Sequence, residues 1–319
     1  MKRKLYETST VINYLQLILI AISSILFWGA CDSKKASERS NGKLKIVTTT
    51  GMIKDAVEHV VGDRAEVIAL MGPGVDPHLY KATQGDLQKL TDADVVFYNG
   101  LHLEGKMGEV LEKLGKAKPV IAVASRIKEE QLREIPGFQG THDPHIWFDV
   151  KLWQNAVIAV SEFMTQHDKD NKQLYESNAK QYITRLDSLH EAVKTSIQQI
   201  PQEQRVLITA HDAFGYFGDA YAIEVKGLQG ISTVSEFGLK DVTELVNFII
   251  SRKIKAIFVE TSVSQKSIEA VREGCRQKNW DVKIGGSLYS DAMGQAGTAE
   301  GTYIGMVSAN VKTIVEALK

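Results

Sequence analysis

Cysteine and proline are both scarce in this chain of 319 residues, which carries two cysteines and six prolines. The charge is nearly balanced, 38 Lys and Arg against 39 Asp and Glu, for a net −1 at neutral pH. A chain without a basic surplus offers no field for nucleic acid. No His-Glu-x-x-His segment occurs, so the helical signature of a zinc-dependent hydrolase is missing. The apolar fraction of 44% is that of an ordinary globular protein, and the length suits two domains of usual size. Against this scarcity one pattern stands out. Two of the six prolines immediately precede a histidine, in Asp76-Pro77-His78 and Asp143-Pro144-His145. Proline fixes its own φ and pushes the preceding residue toward extended geometry. Each tripeptide is therefore either an ordinary stiff turn or a device for aiming an imidazole, with an acid close by as a metal site requires.

The first thirty residues read as a targeting segment. Met1-Lys2-Arg3-Lys4 is basic, Val11 to Phe27 is apolar apart from Asn13, Gln16, Ser23 and Ser24, and Trp28-Gly29-Ala30 precedes Cys31. This order matches a secretory signal peptide. Small residues before a lone cysteine resemble a bacterial lipoprotein signal, with cleavage before Cys31 and lipidation of its sulfur and new amino terminus. Trp28 stands where a leucine is usual. The competing reading, a transmembrane anchor, needs roughly 20 apolar residues, more than this segment supplies. Removal of residues 1–30 takes away Lys2, Arg3, Lys4 and Glu7 and moves the net charge from −1 to −3. With Cys31 acylated, Cys275 has no intramolecular disulfide partner. It falls in a helical pattern from Ser267 to Lys278 and reads as a small buried residue. Residues 31–42 are polar and without apolar period, as expected of a flexible tether.

From residue 43 onward short apolar runs rich in β-branched residues alternate with amphipathic helical stretches. Strands are expected near 44–50, 65–71, 94–98 and 119–124, with helices between them, which makes four βα units in residues 43–150. The rhythm then changes. Residues 151–166 read as one helix, and 171–200 as a longer one with Leu174, Ala179, Tyr182, Ile183, Leu186, Leu189, Val193 and Ile197 on its apolar stripe. At about 28 residues that helix would span roughly 40 Å, the width of a domain. Strands return near 205–209, 224–228, 256–260 and 282–287. The expected fold is α/β: two (βα)4 lobes with mostly parallel sheets, at 43–150 and 204–319, joined by connecting helices at 151–203 whose long member is rigid.

On this map His78 follows the second strand of lobe one and His145 the fourth. His211 follows the first strand of lobe two, and Asp291 the last. All four lie beyond the carboxyl ends of parallel strands, where open α/β sheets bind ligands. Two come from each lobe, so they can converge across a cleft. Three imidazoles and a carboxylate suit a divalent transition metal, since nitrogen donors favour zinc and its neighbours. Four protein ligands make a closed site, whereas a catalytic metal keeps a position open.

The stretches Asp76-Pro77-His78-Leu79-Tyr80, Gly100-Leu101-His102-Leu103-Glu104, Asp143-Pro144-His145-Ile146-Trp147-Phe148-Asp149, Thr209-Ala210-His211-Asp212-Ala213-Phe214-Gly215-Tyr216-Phe217 and Ser290-Asp291-Ala292-Met293-Gly294 resemble the metal receptors of ATP-binding-cassette importers. These are the zinc/manganese cluster A-I of solute-binding lipoproteins, and the likeness is greatest to the TroA type. It extends over residues 43–319. The family's ligands fall on His78, His145, His211 and Asp291. The resemblance implies a monomeric, extracytoplasmic receptor, lipid-anchored to a bacterial membrane on its periplasmic side or the cell surface. It would carry Zn2+, or alternatively Mn2+ or Fe2+, to an ABC permease with its ATPase. Histidine at 211 favours zinc, because manganese members often have glutamate there. The segment 128–141 is short and lacks the His-rich loop of many zinc members. Intrinsic affinity order places zinc above manganese at almost any such site, so binding in vitro does not by itself identify the transported metal.

Two other functions compete. A metal-dependent hydrolase would need an open coordination position and a nearby base. A surface adhesin is compatible with the same lipoprotein. Of the remaining polar residues, Asp143, Asp149 and Asp212 are candidates for orienting ligand imidazoles, with helix capping or ion pairing the competing role for each. Glu236 is a weak cleft candidate. His102 is expected to be structural and His142 to face outward. His59, His167 and His190 fall on helices.

Overall fold

The structure, a computed structural model, describes residues 42–135 and 140–319. The signal segment, Cys31 and nearly all of the expected tether lie outside the described residues. Among those described, no helix is long and apolar enough to cross a membrane.

Lobe one contains β1 (Leu44–Thr48), α1 (Gly51–Val61), β2 (Ala65–Ala69), α2 (Gln84–Asp92), β3 (Val95–Tyr98), α3 (Gly108–Gly115) and β4 (Val120–Ala122). The four strands pair in parallel in the order β2-β1-β3-β4. Side chains along β1 point alternately to two cores. Leu44 and Ile46 face a central core, whereas Val47 faces a smaller cluster with Leu90 and Leu111. That period of two is what the pleat imposes on a sheet covered on both sides. A capping box starts α2: the Thr83 side chain accepts the Asp86 N–H at 3.2 Å, and Asp86 accepts the Thr83 N–H at 3.0 Å.

Two connecting helices follow, α4 (Val150–His167) and α5 (Lys172–Ile197). Asp149 caps α4 through the Lys151 and Leu152 N–H groups at 2.8 and 3.3 Å. With 26 residues, α5 is slightly shorter than expected, because residues 169–171 and 198–200 leave the α-helical path. It still spans about 39 Å at 1.5 Å per residue. Its inward stripe is Tyr175, Ala179, Tyr182, Leu186, Leu189, Val193 and Ile197. Leu174, expected inward, is exposed. Tyr175 takes the place, because its hydroxyl can donate to Asp168 at 2.6 Å while its ring is buried.

Lobe two contains β5 (Val206–His211), α6 (Gly215–Tyr221), β6 (Glu224–Gln229), α7 (Leu239–Ser251), β7 (Ala256–Glu260), α8 (Lys266–Gln277), β8 (Lys283–Leu288) and α9 (Tyr303–Leu318). Its strands form two parallel pairs, β5-β6 and β7-β8, rather than one continuous ladder. β5 lies beside β7, which gives the spatial order β6-β5-β7-β8, the same as in lobe one. At the top of that junction a side chain intervenes: Glu260 accepts the His211 backbone N–H at 2.9 Å.

The central core is shared. One buried apolar cluster runs from Leu44 and Ile53 through Trp153, Tyr182 and Leu186 to Phe258, Met306 and Ile314. Asp55 on α1 fastens the same region, accepting the Tyr182 hydroxyl from α5 and the Tyr303 N–H at 3.2 Å from the start of α9. The two lobes thus share one continuous packed core.

Candidate metal centre

Each Asp-Pro-His tripeptide folds into the same small turn. Asp76 Oδ1 accepts the His78 N–H at 2.8 Å, and Asp143 Oδ1 accepts the His145 N–H at 2.9 Å. The Asp side chain thus mimics a backbone turn around a proline with fixed φ. The second bond of each aspartate differs. Asp143 Oδ1 also lies 2.7 Å from the His145 Nδ1. Asp76 instead uses Oδ2 to accept the Thr233 hydroxyl at 2.6 Å, from the opposite lobe. One turn orients an imidazole ring, and the other ties a ligand's loop across the cleft.

His211 is the last residue of β5. Its Nδ1 lies 2.5 Å from Glu260 Oε2. Gly227 in β6 lets this backbone lie close, because a Cβ there would fall 2.5 Å from the Asp212 nitrogen. Asp291 follows β8, where Ser290 is held by its carbonyl, which accepts Trp147 Nε1–H at 3.0 Å.

These turns bring the four residues picked out by strand position together. His78, His145, His211 and Asp291 are 3%, 0%, 0% and 1% exposed, and one donor atom from each lies within 4.8 Å of all the others. His78 Nε2 is 3.2 Å from His145 Nε2. Asp291 oxygens lie 3.7, 3.4 and 3.3 Å from the Nε2 atoms of His78, His145 and His211. A tetrahedral zinc with ligands at about 2.0–2.1 Å separates its donors by about 3.3 Å, so the cluster has the size of one ion. Both Asp291 oxygens and His211 Nε2 are buried without a hydrogen-bond partner. Such orphaned groups are costly unless something fills the space between them.

The electrostatics agree with this reading. Asp143 and Glu260 hold Nδ1 of His145 and His211 at 2.7 and 2.5 Å, which turns the Nε2 edge of each ring inward. Burial lowers the His78 pKa to about 3, which keeps that ring neutral and able to ligate. Burial alone would also lower His211, but the Glu260 and Asp291 carboxylates outweigh it and raise the pKa well above the usual imidazole value, so a metal ion binding at Nε2 displaces a proton that Asp291 otherwise holds there. Burial opposes ionisation of Asp291, yet the imidazoles, His211 foremost, hold its pKa well below the usual carboxylate range.

Of the other candidates, Asp143 reaches a ligand ring and Asp149 is the cap of α4. Asp212 contacts no ligand ring by hydrogen bond and lines a neighbouring cavity, together with His102 and His142. Glu236 is exposed and outside the cluster. His59 stacks on Tyr182, His167 on Phe163, and His190 bonds Tyr221. Glu260 is the functional residue that sequence reasoning misses. Its signal is a lone acid at the carboxyl end of the apolar strand Ala256–Glu260.

Comparison with known proteins extends the geometry. The family profile described as zinc-uptake complex component A, periplasmic, matches residues 46–317. The manganese-binding lipoprotein MntA of Bacillus subtilis is 51% identical over 290 residues, 91% of this chain and 94% of that protein. The zinc-binding protein TroA of Treponema pallidum is 49% identical over 292 residues, 92% of this chain and 94% of its own length. The solved structure of the periplasmic zinc-binding TroA from that organism aligns with a TM-score of 0.85, covering 87% of this chain and 99% of its own.

Proposed function

Because this chain belongs to the zinc-uptake complex component A family of metal-binding receptors for ABC importers, we propose that it captures one divalent transition metal on His78, His145, His211 and Asp291 and hands it to a permease. The carrying observation is the buried cluster whose orphaned donors, His211 Nε2 and both Asp291 oxygens, face one another at the spacing of a single ion. The relatives' names divide between zinc and manganese, so the metal is argued from the donor set. Three nitrogens and one carboxylate favour zinc, with manganese or iron the second reading. Two carboxylate-braced imidazoles make these donors strongly basic, which favours the same choice. The four ligands leave no position for substrate chemistry, in keeping with a carrier. Lipidation at Cys31 would hold the receptor at the outer face of the membrane, with residues 31–42 as its tether and two lobes at 43–150 and 204–319 meeting over the connecting helices.

Metal analysis of protein recovered from its own cells, grown metal-limited and metal-replete, tests this reading. One zinc per chain under both conditions is expected. Manganese at that stoichiometry in limited cells would overturn zinc as cargo, and absence of any transition metal would overturn the receptor reading. Titration of the purified protein serves a narrower purpose. Asp291→Ala should lower affinity strongly without unfolding the chain, and an unchanged affinity would remove Asp291 from the ligand set.

A further inference from the structure

The four donors are nearly sealed, so an ion must reach them along some path. A cavity of about 440 Å3 adjoins them, and of the four only His78 lines it. The same wall carries His102, His142 and Asp212. Among the described residues none of these three side chains has a hydrogen bond or close ion pair of its own. Apolar residues Leu101, Ile135 and Ile231 make up much of the rest.

The position of His102 is built. Gly100, Leu101 and His102 all have left-handed backbones, with φ of 86°, 53° and 63°. Two successive non-glycine residues rarely stay there unless their surroundings enforce it. The enforcement comes from the buried Glu104, which accepts the Asn99 N–H at 2.7 Å, the Gly100 N–H at 3.3 Å and the Thr49 hydroxyl at 2.7 Å. An antiparallel bridge to Glu134 pins the His142 backbone, and the Asp212 N–H is bonded to the Gln229 carbonyl at 3.1 Å.

We propose that His102, His142 and Asp212 form an outer station for a divalent transition metal, which passes next to His78 and then to the other three ligands. This rests on the receptor reading of the inner site. Among the described residues only the inner group is tight enough to enclose an ion. The outer groups therefore do not enclose an ion together, and an ion held there keeps part of its water shell. Weak holding suits a station, since the ion must leave again. Water is exchanged for protein donors a few at a time, so no step requires stripping the whole shell. The Asp212 carboxylate in an apolar-walled cavity concentrates cations at its mouth.

A station on the path changes the barrier and leaves both end states alone. Its removal therefore slows capture and release by the same factor and leaves Kd where it was. The test uses zinc alone as probe, with stopped-flow fluorescence of Trp147, whose ring lies 5.2 Å from that of His145. Release is followed by a chelator chase. The variants are His142→Ala, His102→Asn and the pair combined, asparagine being tolerant of left-handed backbone. The double variant should associate and dissociate severalfold more slowly, both by the same factor, with Kd within twofold of the parent. Parental association rates would overturn the station. So would a weakened Kd with faster release at unchanged association, which would place these residues in the final site. If His102→Asn fails to fold, His142→Ala alone carries the test. Failure of the parent protein to bind zinc would defeat the receptor reading instead, so the two failures are distinguishable.

Discussion

Replacing Glu260 by glutamine keeps the shape of the side chain and removes its charge, and its effect follows from hydrogen-bond inventory alone. His211 presents two donors to Glu260, its backbone N–H at 2.9 Å and Nδ1–H at 2.5 Å. A carboxylate accepts both. An amide has one acceptor oxygen and one donor nitrogen. If the oxygen of the new amide keeps the backbone N–H, its NH2 faces Nδ1, and the ring responds by moving its proton to Nε2. That nitrogen is then a donor pointing at the position of the metal, and the ligand is lost until the tautomer reverses. Loss of such an orienting partner lowers metal affinity about 10–100-fold, or about 1.4–2.7 kcal/mol. Calorimetry with zinc in competition with a chelator reads this, and near-ultraviolet circular dichroism verifies the fold. An affinity for Glu260→Gln within twofold of the parent would refute the argument that this carboxylate sets the His211 tautomer.

Three further outcomes follow from the same structure. Gly227→Ala should shift the His211–Asp212 backbone, because its new Cβ would meet the Asp212 nitrogen at 2.5 Å. Zinc affinity and melting temperature should fall together, and a change in neither would show that β6 has slack. Asp86 is buried, and although burial opposes ionisation, bonds from Thr83, Tyr80 and Lys89 hold its pKa below the usual value. Its stabilisation is present above the unfolded carboxylate pKa of about 3.9 and is lost as pH falls toward the folded value. Asp86→Asn should therefore cost about 1 kcal/mol at pH 7 in urea unfolding, with the difference shrinking below about pH 3.9; a difference constant with pH would contradict this. Small-angle scattering of metal-free and zinc-loaded protein should differ little, because Asp55 and the shared core join α1, α5 and α9; a swing of tens of degrees would exclude so stiff a joint.

Much of the centre is legible in the sequence because open α/β sheets place function at the carboxyl ends of their strands, and strands betray themselves by apolar runs. His78, His145, His211 and Asp291 need only strand order to be found together. Glu260 sits at an equally telling place, yet it is hidden because it ends a strand as part of the apolar run itself. Apolar period alone places Leu174 inward, since it weighs hydrophobicity without hydrogen bonding, and Tyr175 wins through its bond to Asp168. The different tasks of Asp76 and Asp143 have no sequence signal. Both begin the same tripeptide, and only the fold decides that Thr233 lies within reach of one and the His145 ring within reach of the other.

The bond from Asp55 to the Tyr303 N–H spans 248 residues, and it has a consequence for how the chain is born. Lobe one begins with local βα contacts, and its helix α1 packs chiefly on α4 and α5, with α9 adding a smaller contact through Tyr303. A chain made from its amino terminus therefore leaves the α9 side of the shared core uncovered until Tyr303 to Leu318 has been synthesised. Contacts of such long range form late and slowly, and an uncovered face meanwhile invites association with other chains or with chaperones. A receptor cut short before Tyr303 would lack the part of the shared core that α9 supplies, although every residue of the first lobe was present.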